Sequence, residues 1–174
     1  MNTLILLRGQ PGTGKSMLAK KLQTVLGWRC VVGDEIKEEL IADGCPPAYL
    51  RDRSYEVLWE RVRDELAKGS SLICDTTLNY VASVEYIDKA IADTGAKVVV
   101  VACYCDPIIH RERLESRKGQ GLSDFWIDSW EKYQTYSQGD HLKDRDIPYP
   151  MVHIDTGKSG DDSHVTVLGY LRNK

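Results

Sequence analysis

Residues able to hold phosphate groups are concentrated near the start of the chain. The segment from Gly9 to Ser16 matches the pattern GxxxxGK(S/T) at every fixed position. Its glycines allow the backbone to approach phosphate oxygens, and the amides at the start of the following helix attract negative charge. In this pattern Lys15 reaches the β- and γ-phosphates of a nucleotide, and the Ser16 hydroxyl binds Mg²⁺. We therefore predict binding of ATP and Mg²⁺, with nucleotide contacts from Gly9, Gln10, Pro11, Gly12, Thr13, Gly14, Lys15, Ser16 and Met17.

Two acidic residues follow predicted strands that lie close to this loop. Asp34 comes after the predicted strand Arg29–Val32, and Asp75 comes after Ser71–Cys74. Parallel α/β sheets bind ligands at the carboxyl ends of their strands. One carboxylate can accept the proton of an attacking hydroxyl while the other holds Mg²⁺ or its waters. The sequence does not decide which is which, and each could instead be a helix cap or turn residue. The predicted metal ligands are Ser16, Asp34 and Asp75.

A charged helix is predicted after the fourth strand. Asp106 is a suitable N-cap, and the helix is expected to continue to about Lys118. Arg113 and Arg117 are four residues apart, so they share a helix face. We expect residues 106–121 to form a lid, with both arginines facing solvent until it closes on ATP and neutralises the transferring phosphoryl group. The alternative is an ordinary solvated face.

The remaining charged positions distinguish among the classes of nucleotide-binding protein. Asp34 follows Lys15 by 19 residues, at the end of the next strand, whereas motor ATPases insert more structure before their acidic strand end. The guanine-specific sequence Asn-Lys-x-Asp of GTPases is absent from the sequence. A small kinase fits this arrangement best. The predicted catalytic residues are Lys15, Asp34, Arg113 and Arg117.

Apolar runs alternate with helical patterns along the whole chain, which predicts an α/β fold with a parallel sheet covered on both faces. The other predicted strands are Thr3–Arg8, Lys97–Cys103 and Met151–Ile154. A helix rich in aromatic residues is expected from about Ser123 to Tyr136, with irregular loops at Ala42–Arg53 and Gln138–Pro150. No linker divides the sequence, so we predict a single domain, 1–174.

Composition favours a water-soluble enzyme. The net charge of −3 provides no field that would attract nucleic acid or an anionic membrane. No apolar stretch approaches the roughly 20 residues that span a bilayer. The sequence starts directly with the first strand and the phosphate loop, which leaves no space for a signal peptide, and its five cysteines suit a reducing compartment. We therefore expect a cytoplasmic protein with neither a membrane contact nor an obligate protein partner.

These motifs together resemble a known group of small, AAA-type ATP-binding P-loop kinases. The similarity rests on Gly9–Ser16, Val32–Glu35, Asp75–Asn79 and Arg113–Arg117. It points to zeta toxin, chloramphenicol phosphotransferase and the 5′-kinase domain of phage polynucleotide kinase, and it covers the chain to about Ile154. The resemblance implies a P-loop NTPase α/β/α sandwich with five parallel strands in the order 2-3-1-4-5 and a helical lid. It also implies that Asp34 is the general base and that Arg113 and Arg117 contact ATP.

One position departs from the polynucleotide kinase pattern. That enzyme grips the phosphate of its acceptor with an arginine, and the corresponding position here is Lys37, which offers a point charge instead of a planar fork. We therefore expect transfer of the γ-phosphoryl group to a hydroxyl of a small molecule or a nucleic-acid end. Polynucleotide 5′-hydroxyl kinase activity, or a regulatory ATPase without an acceptor, are the alternatives. The predicted acceptor contacts are Asp34, Lys37, Arg51, Asp75 and Thr76.

Overall fold

A computed structural model describes residues 2–118, 126–158 and 162–173. The elements alternate between strand and helix along the chain, as expected for a parallel sheet. In chain order they are β1 (Thr3–Arg8), α1 (Lys15–Leu26), β2 (Arg29–Val32), α2 (Gly33–Ala42), α3 (Pro47–Ala67), β3 (Leu72–Asp75), α4 (Ser83–Ile91), β4 (Lys97–Tyr104), α5 (Pro107–Glu115), α6 (Trp130–Ser137), a short 3₁₀ turn (Asp144–Asp146), β5 (Met151–Asp155) and α7 (Ser163–Arg172).

The strands form one parallel sheet in the order β2-β3-β1-β4-β5, which confirms the predicted topology. β1 lies at the centre, and its side chains alternate between the two faces. Leu4 and Leu6 belong to the core packed against α3 and α4, whereas Ile5 and Leu7 belong to the core packed against α1 and α7. All four are fully buried. This arrangement delivers the loop after β1 to the middle of the carboxyl edge of the sheet.

The register of the sheet brings the candidate residues to that edge. Asp75 is the last residue of β3 instead of the first residue of a turn, and it pairs with Leu7 of β1 and Val32 of β2. Asp34 follows Val32 by two residues and lies in the first turn of α2. Because all three strands end at the same level, the phosphate loop, Asp34 and Asp75 are neighbours.

Several predicted boundaries were wrong for local reasons. The segment Ala42–Arg53 is largely helical, because Pro47 occupies the first turn of α3, where proline is favoured. The aromatic helix begins at Trp130, because the Ser129 side chain accepts from the Lys132 amide and caps it, and the predicted start near Ser123 lies outside the described residues. α5 ends at Glu115 rather than Lys118. Gly119 and Gly121, the expected end of the lid, lie outside the described residues.

Two further observations concern the whole described chain. None of its helices combines the length and apolar character needed to cross a bilayer. The five cysteines carry free thiols, and Cys74 and Cys103 are buried in the sheet.

Candidate active site

The phosphate loop adopts a conformation that depends on its glycines. Gly12 has φ of 86°, and a Cβ atom there would lie 2.9 Å from Leu114 of α5. Gly9 is in close contact with β4, since a Cβ atom there would lie 2.5 Å from the carbonyl oxygen of Cys103. Any side chain at either position would push the loop away from α5 or from the sheet.

The loop leads into a helix N-terminus that is open to an anion. Gly14 is the N-cap of α1, no side chain among the described residues caps this end, and the first turn carries no acidic residue. The unpaired amides of a helix N-terminus carry partial positive charge, which favours phosphate.

The charged centre of the site is Lys15 and Asp75, with the Ser16 hydroxyl hydrogen-bonded to Asp75. Lys15 and Asp75 are 8% and 5% exposed, and the Lys15 Nζ atom donates to the Gln10 carbonyl at 3.0 Å. Burial lowers the pKa of Lys15, and the charge of Asp75 opposes this shift. Burial also raises the pKa of Asp75, against a hydrogen bond from Ser16 and the charge of Lys15. Removal from water thus disfavours both charges, and each is supported by the other.

Asp34 is close to this centre but occupies a different environment. Its side chain is 56% exposed, and its Oδ1 atom accepts from Lys37 Nζ at 3.0 Å, one helical turn later. The same ammonium group lies 5.3 Å from the centre of the Trp126 ring. Asp34 therefore faces solvent, whereas Asp75 is buried.

The Asp75–Asn79 turn is fixed by a buried residue that sequence analysis missed, Arg8. Its guanidinium donates to the carbonyls of Leu78 and Leu142, to Asn79 Oδ1 at 3.3 Å and to Asp144 Oδ1 at 2.7 Å. Leu78 has φ of 48°, an unusual value for a residue with a branched side chain. Arg8 satisfies the carbonyl of this strained residue. The one signal in the sequence is an arginine directly after the apolar run Leu4–Leu7.

Asn79 extends the network to the phosphate loop. Its Nδ2 atom lies 3.3 Å from Gln10 Oε1 and 3.0 Å from the Tyr136 hydroxyl of α6. The amide of Gly9 also donates to the carbonyl of Thr77 at 3.3 Å. The loop that would hold phosphate and the turn that carries Asp75 are thus a connected unit.

The two arginines of the predicted lid lie in different environments. Arg113 is half-buried, its Nη2 atom donates to the Thr156 carbonyl at 2.8 Å, and it lies beside Gly14. The expectation that it faces solvent without nucleotide was wrong, because the end of β5 supplies a carbonyl acceptor within reach. Arg117 is exposed and lies in the turn after α5, near enough to lower the pKa of Lys15.

Thr156 is a second residue that sequence analysis missed. Its hydroxyl contacts the carbonyl of Thr13 in the phosphate loop and lies 3.0 Å from the carbonyl of Tyr104 at the end of β4. It is 2% exposed. Thr156 therefore joins the loop, β4 and Arg113, although nothing in the turn sequence after β5 distinguishes it.

Comparison with protein family models assigns the chain to a family. The family model described as an AAA domain, AAA_33, matches residues 4–135, from β1 into α6. The chain belongs to this AAA domain family. A UPF0200 protein from Hyperthermus butylicus is 28% identical over 134 residues, which cover 71% of this chain and 69% of that protein.

Solved structures share the fold of this AAA domain protein at low sequence identity. A candidate kinase from Chloroflexus aurantiacus superposes with a TM-score of 0.79 at 21% identity, over 99% of this chain and 97% of that one. A sugar kinase from Janibacter gives 0.71 at 15% identity, over 99% and 95%. A gluconokinase from Sinorhizobium meliloti gives 0.65 at 16% identity, over 98% and 92%. The protein is a small P-loop kinase-like protein with this α/β architecture.

The donor set of the AAA domain suits Mg²⁺ held jointly by protein and nucleotide. Within the described residues, no group of three or more His, Cys, Asp or Glu side chains is placed to hold a metal by itself. Mg²⁺ is usually bound by one or two protein oxygen ligands together with substrate phosphates and water. The buried Asp75 carboxylate and the Ser16 hydroxyl that contacts it provide this kind of oxygen pair.

The remaining predicted acceptor residues of the AAA domain lie on α3 and on the turn after β3. Thr76 is buried and hydrogen-bonds Tyr55, whose hydroxyl lies 3.1 Å from Ser83 Oγ. Arg51 is paired with Asp52 at 2.9 Å and stacks over the Tyr80 ring. Thr76 is therefore part of the packed turn, whereas Arg51 is on the surface and already paired.

Proposed function

We propose that this protein is an ATP- and Mg²⁺-dependent phosphotransferase that moves the γ-phosphoryl group to a hydroxyl of a small molecule or a nucleic-acid end. The observation that carries the proposal is the buried pair Lys15 and Asp75, with the Ser16 hydroxyl hydrogen-bonded to Asp75, beside the uncapped N-terminus of α1. A buried cation and an open helix N-terminus suit phosphate, and the oxygen pair suits the metal that accompanies it.

The residues divide the chemistry between them. Lys15 and the loop amides would hold the β- and γ-phosphates, and Ser16 and Asp75 would hold Mg²⁺, which neutralises phosphate charge when bound. Asp34 is the better candidate for general base, because its exposed carboxylate can reach a hydroxyl arriving from solvent. Arg113 and Arg117 would neutralise charge that develops on the transferring group.

The acceptor would lie between Asp34, at the start of α2, and the rest of α2 and α3. Lys37 and Trp126 border this region, and Arg51 lies on the same side of the sheet on α3. A sugar kinase and a gluconokinase share the fold. Sugars and sugar acids therefore join nucleosides and oligonucleotides as acceptors to be tried first.

The proposal extends to the whole chain. Residues 1–174 would act as a single P-loop kinase domain with a lid at about 106–121, in the cytoplasm, without a membrane contact or an obligate protein partner. In the part of the chain that the structure describes, Arg113 supports the single domain, because it connects the predicted lid to the residue after β5.

The decisive experiment is a screen of hydroxyl acceptors with γ-labelled ATP and Mg²⁺. Sugars, sugar acids, nucleosides, UDP-sugars, aminoglycosides and 5′-hydroxyl oligonucleotides are each incubated with enzyme, and labelled products are separated. Salt-sensitive labelling of oligonucleotides alone would favour a polynucleotide kinase. Hydrolysis that no acceptor outcompetes, together with ATP-dependent oligomers, would favour a regulatory ATPase.

A matched pair of variants connects the screen to the site. Lys15→Ala is expected to abolish most transfer, because the phosphates lose their cation. Lys20→Ala removes an exposed lysine of the same helix and is expected to retain activity. Normal turnover by folded Lys15→Ala protein would refute the assignment of the phosphate loop.

A further inference from the structure

His110 connects α5 to the phosphate loop. Its Nε2 atom lies 2.7 Å from the carbonyl oxygen of Pro11, a residue 99 positions earlier in the chain. Because a carbonyl oxygen can only accept, Nε2 carries the proton and donates it. His110 is 7% exposed, so water is largely excluded from this contact. The hydrogen bond joins two segments that no strand pairing holds together.

The imidazole ring is held in place by α6. It meets the Tyr133 ring edge to face at 4.6 Å and the Trp130 ring at 5.7 Å. On its other side, a Cβ atom on Gly12 would lie 3.2 Å from the Cδ2 atom of His110. The ring is therefore packed between two aromatic side chains and the phosphate loop, which fixes the direction of its Nε2–H bond.

The hydrogen bond constrains a peptide unit that belongs to the phosphate-binding surface. The chain contains no cis peptide bond among its described residues, so the Pro11–Gly12 unit is planar and trans. In such a unit the carbonyl and the following N–H point in opposite directions. With the Pro11 carbonyl directed at His110, the Gly12 amide points away from α5. Backbone amides in loops of this kind are the donors that bind phosphate.

We propose that His110 is a positioning residue for phosphate binding, which orients the Gly12 amide toward the phosphates of the nucleotide by holding the Pro11 carbonyl. The inference rests on the proposed function, because it takes ADP and ATP as ligands. It assigns no chemical step to His110, and it concerns nucleotide affinity, which can be measured without knowing the acceptor.

The test uses two substitutions that distinguish the effect of the N–H donor from the effect of the aromatic ring. His110→Phe keeps an aromatic ring but removes the donor, whereas His110→Gln keeps an N–H donor at nearly the same reach. Affinity for Mg·ADP is measured by calorimetry, and the amide resonance of Gly12 is recorded by NMR without nucleotide. We expect His110→Phe to weaken Mg·ADP binding roughly 5- to 10-fold, the usual effect of one lost hydrogen bond, and to shift the Gly12 resonance. His110→Gln should recover most of both.

The control is another histidine with the same kind of contact. His141 Nε2 lies 2.8 Å from the Tyr136 carbonyl, outside the phosphate loop, so His141→Phe should leave Mg·ADP affinity and the Gly12 resonance as in the wild type. If His110→Phe does not fold, as judged by its thermal midpoint, His110→Met replaces it, since methionine adapts to irregular spaces.

The outcomes separate the two proposals. Wild-type affinity in the folded His110→Phe variant, or equal losses in His110→Phe and His110→Gln, would overturn the positioning role and leave the kinase proposal intact. Failure of the wild-type protein to bind Mg·ADP or Mg·ATP would overturn the proposed function itself.

Discussion

The guanidinium of Arg8 donates to the carboxylate of Asp144 at 2.7 Å. The same guanidinium also donates to the carbonyls of Leu78 and Leu142. Replacing it leaves buried carbonyls without partners, each costing about 1–3 kcal/mol. We expect Arg8→Met to lower the free energy of unfolding by about 3 kcal/mol in urea titrations. Arg145→Met, whose side chain is 84% exposed, should change it by less than about 0.5 kcal/mol. Equal stability of Arg8→Met and wild type would show that the network is not structural support.

Changing Asp34 or Asp75 to asparagine should impair different properties of the enzyme. Asp34→Asn is expected to keep ATP affinity within a few fold and to slow transfer by roughly 10²–10⁴, the scale of a lost general base. Asp75→Asn should instead raise the Mg²⁺ concentration needed for ATP binding, because it removes a buried anionic ligand. Asp93→Asn, at an exposed site, is the control. The measurements are nucleotide titrations at several Mg²⁺ concentrations and single-turnover transfer. The opposite pattern would exchange the two roles.

Substitutions of Arg113 and Arg117 should also have different effects on nucleotide affinity and on the rate of transfer. Arg113 is already anchored to Thr156 beside Gly14, so Arg113→Ala is expected to lower both nucleotide affinity and the rate of transfer. The exposed Arg117 should matter chiefly in the transition state, where charge on the phosphoryl group develops, so Arg117→Ala should lower the rate alone. Single-turnover kinetics and separate binding measurements test this, with Arg63→Ala as a surface control. Normal transfer by both variants would make the pair a solvated face.

His110 predicts a specific dependence of stability on pH. Burial lowers its pKa below the ordinary value of 6.5, Lys15 and Arg113 act in the same direction, and the hydrogen bond to Pro11 opposes them. Between the folded-state pKa and 6.5 the unfolded chain binds the proton more readily, so stability falls as pH decreases through this range. His110→Gln removes this contribution. The difference in unfolding free energy between wild type and variant should therefore shift in favour of the variant as pH falls below about 6.5. A pH-independent difference would contradict this prediction.

The sequence predicts a feature of this protein when the residues that determine it are close together in the chain. The phosphate loop and the strand order follow from a contiguous motif and from apolar runs such as Val98–Val101, which occupy an interior strand. Arg8, His110 and Thr156 each contact at least one partner about a hundred residues or more away, and the sequence around each of them gives no indication of that partner. Pro47 lies in the segment that the sequence predicted as an irregular loop, and the prediction was wrong for another reason. The same residue type that breaks a helix interior begins a helix when it lies in the first turn.

The contact between Thr156 and Thr13 joins residues 143 positions apart, and it imposes an order on the maturation of the site. During synthesis on the ribosome, β1 and the phosphate loop emerge well before β5 and the Thr156 hydroxyl. Sheets that depend on such distant pairings complete their folding late. The phosphate loop is thus synthesised before Thr156, and the contact with the Thr156 hydroxyl forms only after β5 has been made. A nascent chain that has not yet reached β5 therefore lacks the hydroxyl group that contacts the Thr13 carbonyl.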